Sequence, residues 1–200
     1  MKKYINSFLN EVNGNIGKVS WTDVAKSIKI LTTVYEHGGR VHLIGNGGSS
    51  SIASHWANDL NKTVLGHAGH NNPSRRFQAI ALTDNIPVMT AWANDVGYEH
   101  VFSEQLKNFI QDIDALIAIS SSGNSPNIIK AAEFAKSYFV PVIGLVGFEG
   151  GKLKELADAA IHVPSKKYTI VEPVHSAVTH LITAYFYDWL RGNQEATVGF

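Results

Sequence analysis

The sequence predicts an α/β fold in three layers, a five-stranded parallel sheet with helices on both faces. From residue 40 onward, short apolar segments alternate with helical stretches. Those segments are near-continuously apolar, as strands covered on both faces are. The 44% hydrophobic content of a 200-residue chain suffices for one domain, 1–200, with a sizeable core.

Residues 1–38 predict a helical pair ahead of the sheet. Tyr4, Ile5, Phe8, Leu9, Val12 and Ile16 recur at helical spacing. Val24, Ile28, Leu31, Val34 and Tyr35 repeat the pattern until Gly38-Gly39 stops it. This pair either covers the sheet or meets its counterpart in another subunit. The α/β core follows over 39–200, its first strand at 40–45 carrying Val41-His42-Leu43-Ile44. The remaining strands are expected at 77–82, 114–119, 141–146 and 159–163. Helices are expected near 50–64, 86–94, 101–111, 124–137 and 151–156, with a long last one from about 172 to 190. The stretch 66–76, rich in Gly, His, Asn and Arg, is the most loop-like. Parallel sheets of this kind bind ligands beyond the carboxyl ends of their strands, where strand order reverses.

Composition excludes several functions. Seventeen basic and seventeen acidic residues cancel, and no Lys/Arg run exceeds two, so no nucleic-acid footprint exists. Cysteine is absent, which excludes disulfides and thiolate metal sites and fits a reducing compartment. No stretch approaches the roughly 18 apolar residues of a membrane span. The expectation is a soluble cytoplasmic protein.

Two loops carry the chemistry. In residues 43–60, LIGNGGSSSIASHWANDL, an apolar strand turns through glycines into a helix start. The free N–H groups and positive dipole end of such a start bind anions, and glycine lets a ligand approach the backbone. The third strand likewise runs into Ser120-Ser121-Ser122-Gly123-Asn124-Ser125-Pro126 and a helix. One helix cap needs one Ser or Asn, whereas this loop has four serines in six positions, which points to phosphate held by neutral donors. The lysine of a P-loop and the spacing of a dinucleotide fingerprint are missing, so ATP and NAD fit poorly.

Gly45-Asn46-Gly47-Gly48-Ser49 with His55 and Asp59, Ala93-Asn94-Asp95-Val96-Gly97-Tyr98, Ser120–Ser125, and Glu172 with His180 together resemble the sugar isomerase (SIS) family. Within it the chain is most similar to the phosphoheptose isomerases, which convert sedoheptulose 7-phosphate to glycero-manno-heptose 7-phosphate. The resemblance runs over nearly the whole chain and implies a flavodoxin-like strand order. It also implies a homotetramer whose active sites share residues between subunits. By resemblance, Asn46, Gly47, Gly48 and Ser49 meet the sugar phosphate, Asn94 and Asp95 its polar end, and Ser120, Ser121, Ser122 and Ser125 the phosphate. His55, Asp59, Glu172 and His180 fall on positions that bind zinc, with Asp59, Glu172 and His180 in the proton transfer and Asp59 and Glu172 also contacting substrate. The product would feed a nucleotide-activated heptose for lipopolysaccharide or another surface glycan.

Three departures stand out. The family has Glu, Gln and Thr where this chain has Asp59, Glu172 and Ser121. Shortening Glu to Asp withdraws a carboxylate by about 1.5 Å, enough to matter for a proton carrier. Replacing Gln by Glu adds a charge, so the two changes form a swap or signal a different sugar phosphate. The same build also occurs in non-enzymatic SIS tetramers that bind the replication initiator.

Taken alone, His55 and Asp59, four apart on a helix, read as a local polar contact. Glu172, next to Pro173, reads as an acid at a helix N-terminus. His37, His42, His67, His70, His100 and His162 read as loop or surface residues, and His175 as a supporting contact for Glu172. Trp56 and Trp92 read as packing, Arg75 and Arg76 as a solvated pair.

Overall fold

A computed structural model describes residues 1–66 and 75–192. Five strands, β1 (Arg40–Gly45), β2 (Gln78–Ala81), β3 (Ala115–Ser120), β4 (Val142–Val146) and β5 (Ala159–His162), form one sheet in the order β2-β1-β3-β4-β5. Every pairing is parallel. This is the flavodoxin-like order, and its reversal lies between β1 and β3. Those strands pair from Val41 on Ala115 to Gly45 on Ile119. The two loops that the sequence singled out are therefore neighbours at the switch point.

The helices are α1 (Lys2–Ile16), α2 (Trp21–His37), α3 (Gly48–Asn61), α4 (Ile86–Asp95), α5 (Val101–Phe109), α6 (Pro126–Ser137), α7 (Gly151–Leu156) and α8 (Tyr168–Trp189). Alternate strand residues serve opposite layers. Val41, Leu43, Ile117 and Leu145 pack against Leu31 of α2, Trp56 of α3 and Phe186 of α8. Ile44, Leu116, Ala118 and Val142 pack against Phe102 of α5, Ile128 of α6 and Leu153 of α7. Ser20 caps α2 by accepting from the Asp23 N–H at 3.3 Å. Gly38, at φ 75°, ends it as anticipated. Gly39 is required beside it, because a Cβ there would lie 2.0 Å from the Ile113 carbonyl oxygen.

Several expectations need correction. The stretch to residue 64 is not all α-helix: α3 runs from Gly48 to Asn61, and a 3₁₀ turn follows at Thr63–Leu65. The last helix begins at Tyr168, so Pro173 lies inside it and Glu172 is not in its first turn. The proline removes one N–H, that toward the Thr169 carbonyl, and the long apolar packing face of α8 carries the helix past it. His42 is no surface residue: its side chain is 0% exposed, and its Nε2 lies 2.9 Å from Asp114 Oδ2. Asp114 also accepts the Arg40 and Gln111 N–H groups, tying the starts of β1 and β3 together. Burial pushes the Asp114 carboxyl up, but His42 and the two N–H donors outweigh it and hold it below its usual value.

Val12 of α1 packs with Val163, Val171 and Val174, while Tyr4, Ile5, Leu9 and Ile16 remain exposed. Apolar as α4 is, none of its residues is buried. Of the 66–76 stretch, residues 67–74, with His67 and His70, lie outside the described residues. Among the described residues no helix is long and apolar enough to cross a membrane.

Candidate active site

The loop after β3 builds a cradle of hydroxyls. Ser120 Oγ lies 3.5 Å from Ser122 Oγ and 3.3 Å from Ser125 Oγ. Ser125 is the backbone N-cap of α6, with Pro126 following, yet its hydroxyl makes no capping bond. That hydroxyl stays available, so capping does not account for it. The buried Ser121 hydroxyl has no partner among the described residues. These serines line a cavity of about 160 Å³ together with Asn46, Ser49, Ile119, Tyr168 and Glu172. Among the described residues no Lys, Arg or His lines it, so the groups they offer an anion there are neutral donors. A larger, more apolar cleft lies at the opposite ends of the strands, around Ile30, Ile113 and Pro141, away from both loops.

Asn46, directly after β1, is locked in place. Its amide exchanges two hydrogen bonds of 2.9 Å with the Asn127 amide, and the Tyr98 hydroxyl donates to its Oδ1 at 3.0 Å. Asn127 in turn accepts the Ile128 N–H. Sequence reasoning missed Asn127 and Tyr168. The available signal for Asn127 was a polar residue just after the helix-opening proline, where a solvated side chain would be ordinary. Tyr168 gave none, because α8 was expected to start later.

The glycine turn stands beside a carboxylate of the chain itself. Gly47 takes φ 54° and ψ −123° as the N-cap of α3. Gly45 must lack a side chain because a Cβ would lie 2.5 Å from the Ser49 carbonyl. A Cβ on Gly48 would stand 2.6 Å from both Glu172 oxygens. The protein's own Glu172 carboxylate thus lies beside the first turn of α3, at the positive end of the helix dipole, without a hydrogen bond to it among the described residues. Gly47 and Gly48 do not line the serine cavity.

Asp59 gathers the histidines. Its buried carboxylate accepts from the Thr63 hydroxyl at 2.8 Å through Oδ1. Oδ2 lies 3.5 Å from His55 Nε2 and 3.4 Å from His180 Nδ1. The two imidazoles meet edge to face, with centroids 5.0 Å apart. Oδ2 is buried without a hydrogen-bond partner among the described residues. The three ligand atoms lie within 4.8 Å of one another. The two separations from Asp59, 3.4 and 3.5 Å, are long for hydrogen bonds but close to the roughly 3.3–3.5 Å edges of a tetrahedron around zinc, and an N₂O donor set suits that ion. The expected fourth ligand does not join: Glu172, two helical turns before His180, is at the serine cavity instead.

Other expectations place differently. Asn94 and Asp95 lie exposed at the end of α4, bonded to each other at 2.9 Å, and do not line the cavity. His175 is buried with Nε2 3.1 Å from the Val146 carbonyl, so it anchors α8 to β4 rather than supporting Glu172. Burial holds its pKa down at about 4. Trp56 is fully buried and Trp92 partly so, both in packing. Arg75 and Arg76 are exposed, and the Arg75 guanidinium donates to the Tyr35 carbonyl. His37 is exposed; His100 and His162 are half-buried, facing Lys130 and the Phe148 carbonyl respectively.

Residues 3–147 match the family model of the SIS domain. A phosphoheptose isomerase of Rhodospirillum rubrum is 38% identical over 167 residues, covering 84% of this chain and 86% of that protein. One from Aneurinibacillus thermoaerophilus is 34% identical over 203 residues, covering 99% and 100%. The solved structure of a phosphoheptose isomerase from Neisseria gonorrhoeae superimposes with a TM-score of 0.82 at 26% identity, over 92% of this chain and 97% of that one.

Proposed function

This chain belongs to the SIS domain family, and we propose that it is a sugar-phosphate isomerase converting sedoheptulose 7-phosphate to D-glycero-D-manno-heptose 7-phosphate. One observation carries the reading: at the β1/β3 switch point a neutral hydroxyl cradle stands beside an unpaired carboxylate. Ser120, Ser122 and Ser125 supply the cradle and Glu172 the carboxylate. The relatives named phosphoheptose isomerase over most of the chain support the same substrate.

Aldose–ketose exchange through a cis-enediol needs one group to take the proton alpha to the carbonyl and another to return one to the neighbouring carbon. Glu172 is half-buried at the cavity and has no hydrogen-bond or ionic partner among the described residues, so its carboxylate is open to substrate. Asp59 has one oxygen taken by Thr63 and the other facing two imidazoles. We assign Asp59 to holding His55 and His180, and Glu172 with His180 to moving protons. Zinc fits His55, Asp59 and His180 as ligands; bound there, it would supply Lewis acidity toward the substrate oxygens.

The chain is read as one SIS domain that assembles as a cytoplasmic homotetramer. Support comes from the absence of cysteine and from apolar side chains left in solvent on α1 and α4, including Tyr4, Leu9 and Ile86. In a tetramer, Asn94 and Asp95 would be offered to a neighbouring site. An NMR time course with sedoheptulose 7-phosphate, with and without added zinc, tests the activity. Conversion to the aldose is expected; no conversion under either condition would refute it.

A further inference from the structure

The serine cavity, about 160 Å³, falls below the roughly 300–1,000 Å³ of pockets that enclose a whole small ligand. It takes one end of a ligand, and the rest leaves through its mouth. Tyr168 lines that cavity and is itself 56% exposed. It opens α8, and Glu172 follows one turn later on the same face. Tyr168 is the single aromatic residue in the lining among the described residues.

The ring is held from behind. Tyr168 meets Phe148 edge on, with centroids 4.9 Å apart and planes at 67°. Phe148 holds φ 48°, a left-handed conformation that a bulky residue keeps only where its surroundings enforce it. The enforcement is visible: its N–H donates to the Ser165 carbonyl at 2.9 Å, and its own carbonyl lies 2.9 Å from His162 Nε2. The preceding Gly147 N–H donates to the Ser121 carbonyl at 2.9 Å. The serine loop and the aromatic pair are thus tied to one stretch of backbone, which fixes the ring relative to the cradle.

A cluster of neutral hydroxyls binds a phosphate group without asking what is attached to it. Resting on the sugar-phosphate reading above, we infer that Tyr168 makes that distinction. It is a specificity-determining residue whose ring packs against the carbon chain leaving the cradle. The C–H face of a polyol is its apolar part, and the exposed phenol ring offers a rigid apolar partner. Burying on the order of 50 Å² of apolar surface is worth a factor of about ten in affinity.

Calorimetric binding of sedoheptulose 7-phosphate and of inorganic phosphate to wild type, Tyr168→Phe and Tyr168→Ala tests this. Tyr168→Phe is expected to keep both affinities. Tyr168→Ala is expected to lose about tenfold for the sugar phosphate and nothing for inorganic phosphate, with KM raised and kcat within about threefold. Equal losses for both ligands would reduce Tyr168 to a brace for the serine loop, and no loss would remove it from the site; either overturns the inference. Should the alanine variant fold poorly, Tyr168→Asn, which removes the apolar face and keeps more bulk than alanine, reads the same ratio. The ratio is measured whether or not the wild type turns its ligand over, so a failed isomerase assay and a failed inference remain distinct results. A wild type that binds neither compound would overturn both.

Discussion

The Glu172 carboxylate occupies the space that a side chain on Gly48 would need, with both oxygens 2.6 Å from where its Cβ would stand. Gly48 has no positive φ, so alanine fits its backbone and is favoured in a helix by up to about 1 kcal/mol. What yields is the flexible end of Glu172. Gly48→Ala is therefore expected to leave the melting temperature unchanged or raised while turnover falls about 10²-fold, the usual cost of a misplaced reacting group. Wild-type turnover would show that the position of Glu172 does not matter to the chemistry.

The cradle makes a separate prediction. Ser120 and Ser125 sit 3.3 Å apart by their hydroxyls, and neither side chain caps a helix. Replacing both by alanine is expected to weaken sugar-phosphate binding at least about tenfold, by the loss of two donors to a charged group. Folding should be intact by circular dichroism. Unchanged affinity in calorimetry would place the phosphate elsewhere.

Much of this was legible because it is local. Apolar runs such as 114–119 mark their own strands, and Gly38-Gly39 ends α2 for reasons of backbone geometry alone. The serine loop was readable because four hydroxyls exceed what a cap uses. The pairings across the chain were not. Nothing near His42 announces Asp114, 72 residues away, as its partner. The turn at Gly47-Gly48 was expected to take a ligand anion because the helix end is visible in sequence, whereas the glutamate arriving from α8 is not. Tyr168 escaped because Pro173 suggested a helix start, although an amphipathic helix that is well packed absorbs one missing hydrogen bond.

His175 gives stability a pH dependence. Its folded pKa is about 4 against 6.5, because burial disfavours the imidazolium. The unfolded chain therefore takes the proton first as pH falls. The contribution is fully present above about pH 6.5 and is lost as pH drops toward 4, on the order of 2 kcal/mol between pH 7 and 5. Urea denaturation at the two pH values should show that loss in wild type and a flatter response in His175→Gln. Parallel responses would mean that other groups set the slope.

The exposed side of α1 bears on assembly. Ile5 and Leu9 are 47% and 57% exposed, one turn apart on the same face. If that face is an interface between copies, Ile5→Glu with Leu9→Glu buries two charges there and should dissociate the assembly. Light scattering is expected to give a tetramer for wild type and smaller species for the double variant. A wild-type mass equal to the 21.8 kDa chain at micromolar concentration would rule out the assembly.

The most discriminating variant is His180→Asn. His180 faces Asp59 Oδ2 at 3.4 Å and meets His55 edge on, so it is placed both to hold an ion and to carry a proton. Imidazole suits proton transfer because its ordinary pKa, about 6.5, lies near working pH. Asparagine keeps similar bulk and some coordinating ability but cannot cycle a proton. If His180 is a proton carrier, turnover falls by roughly 10²–10⁴ with zinc content unchanged. If it is chiefly a ligand, turnover and zinc fall together, and excess zinc restores part of the activity. Glu172→Gln separates the roles from the other side. Glu172 stands apart from the three ligand atoms, so zinc content should stay at the wild-type level while turnover is lost. Asp59→Asn, by contrast, removes the carboxylate between the two imidazoles, and zinc should go with it. A Glu172→Gln protein that loses its zinc would return that carboxylate to the metal and undo the division of labour proposed for the two acids.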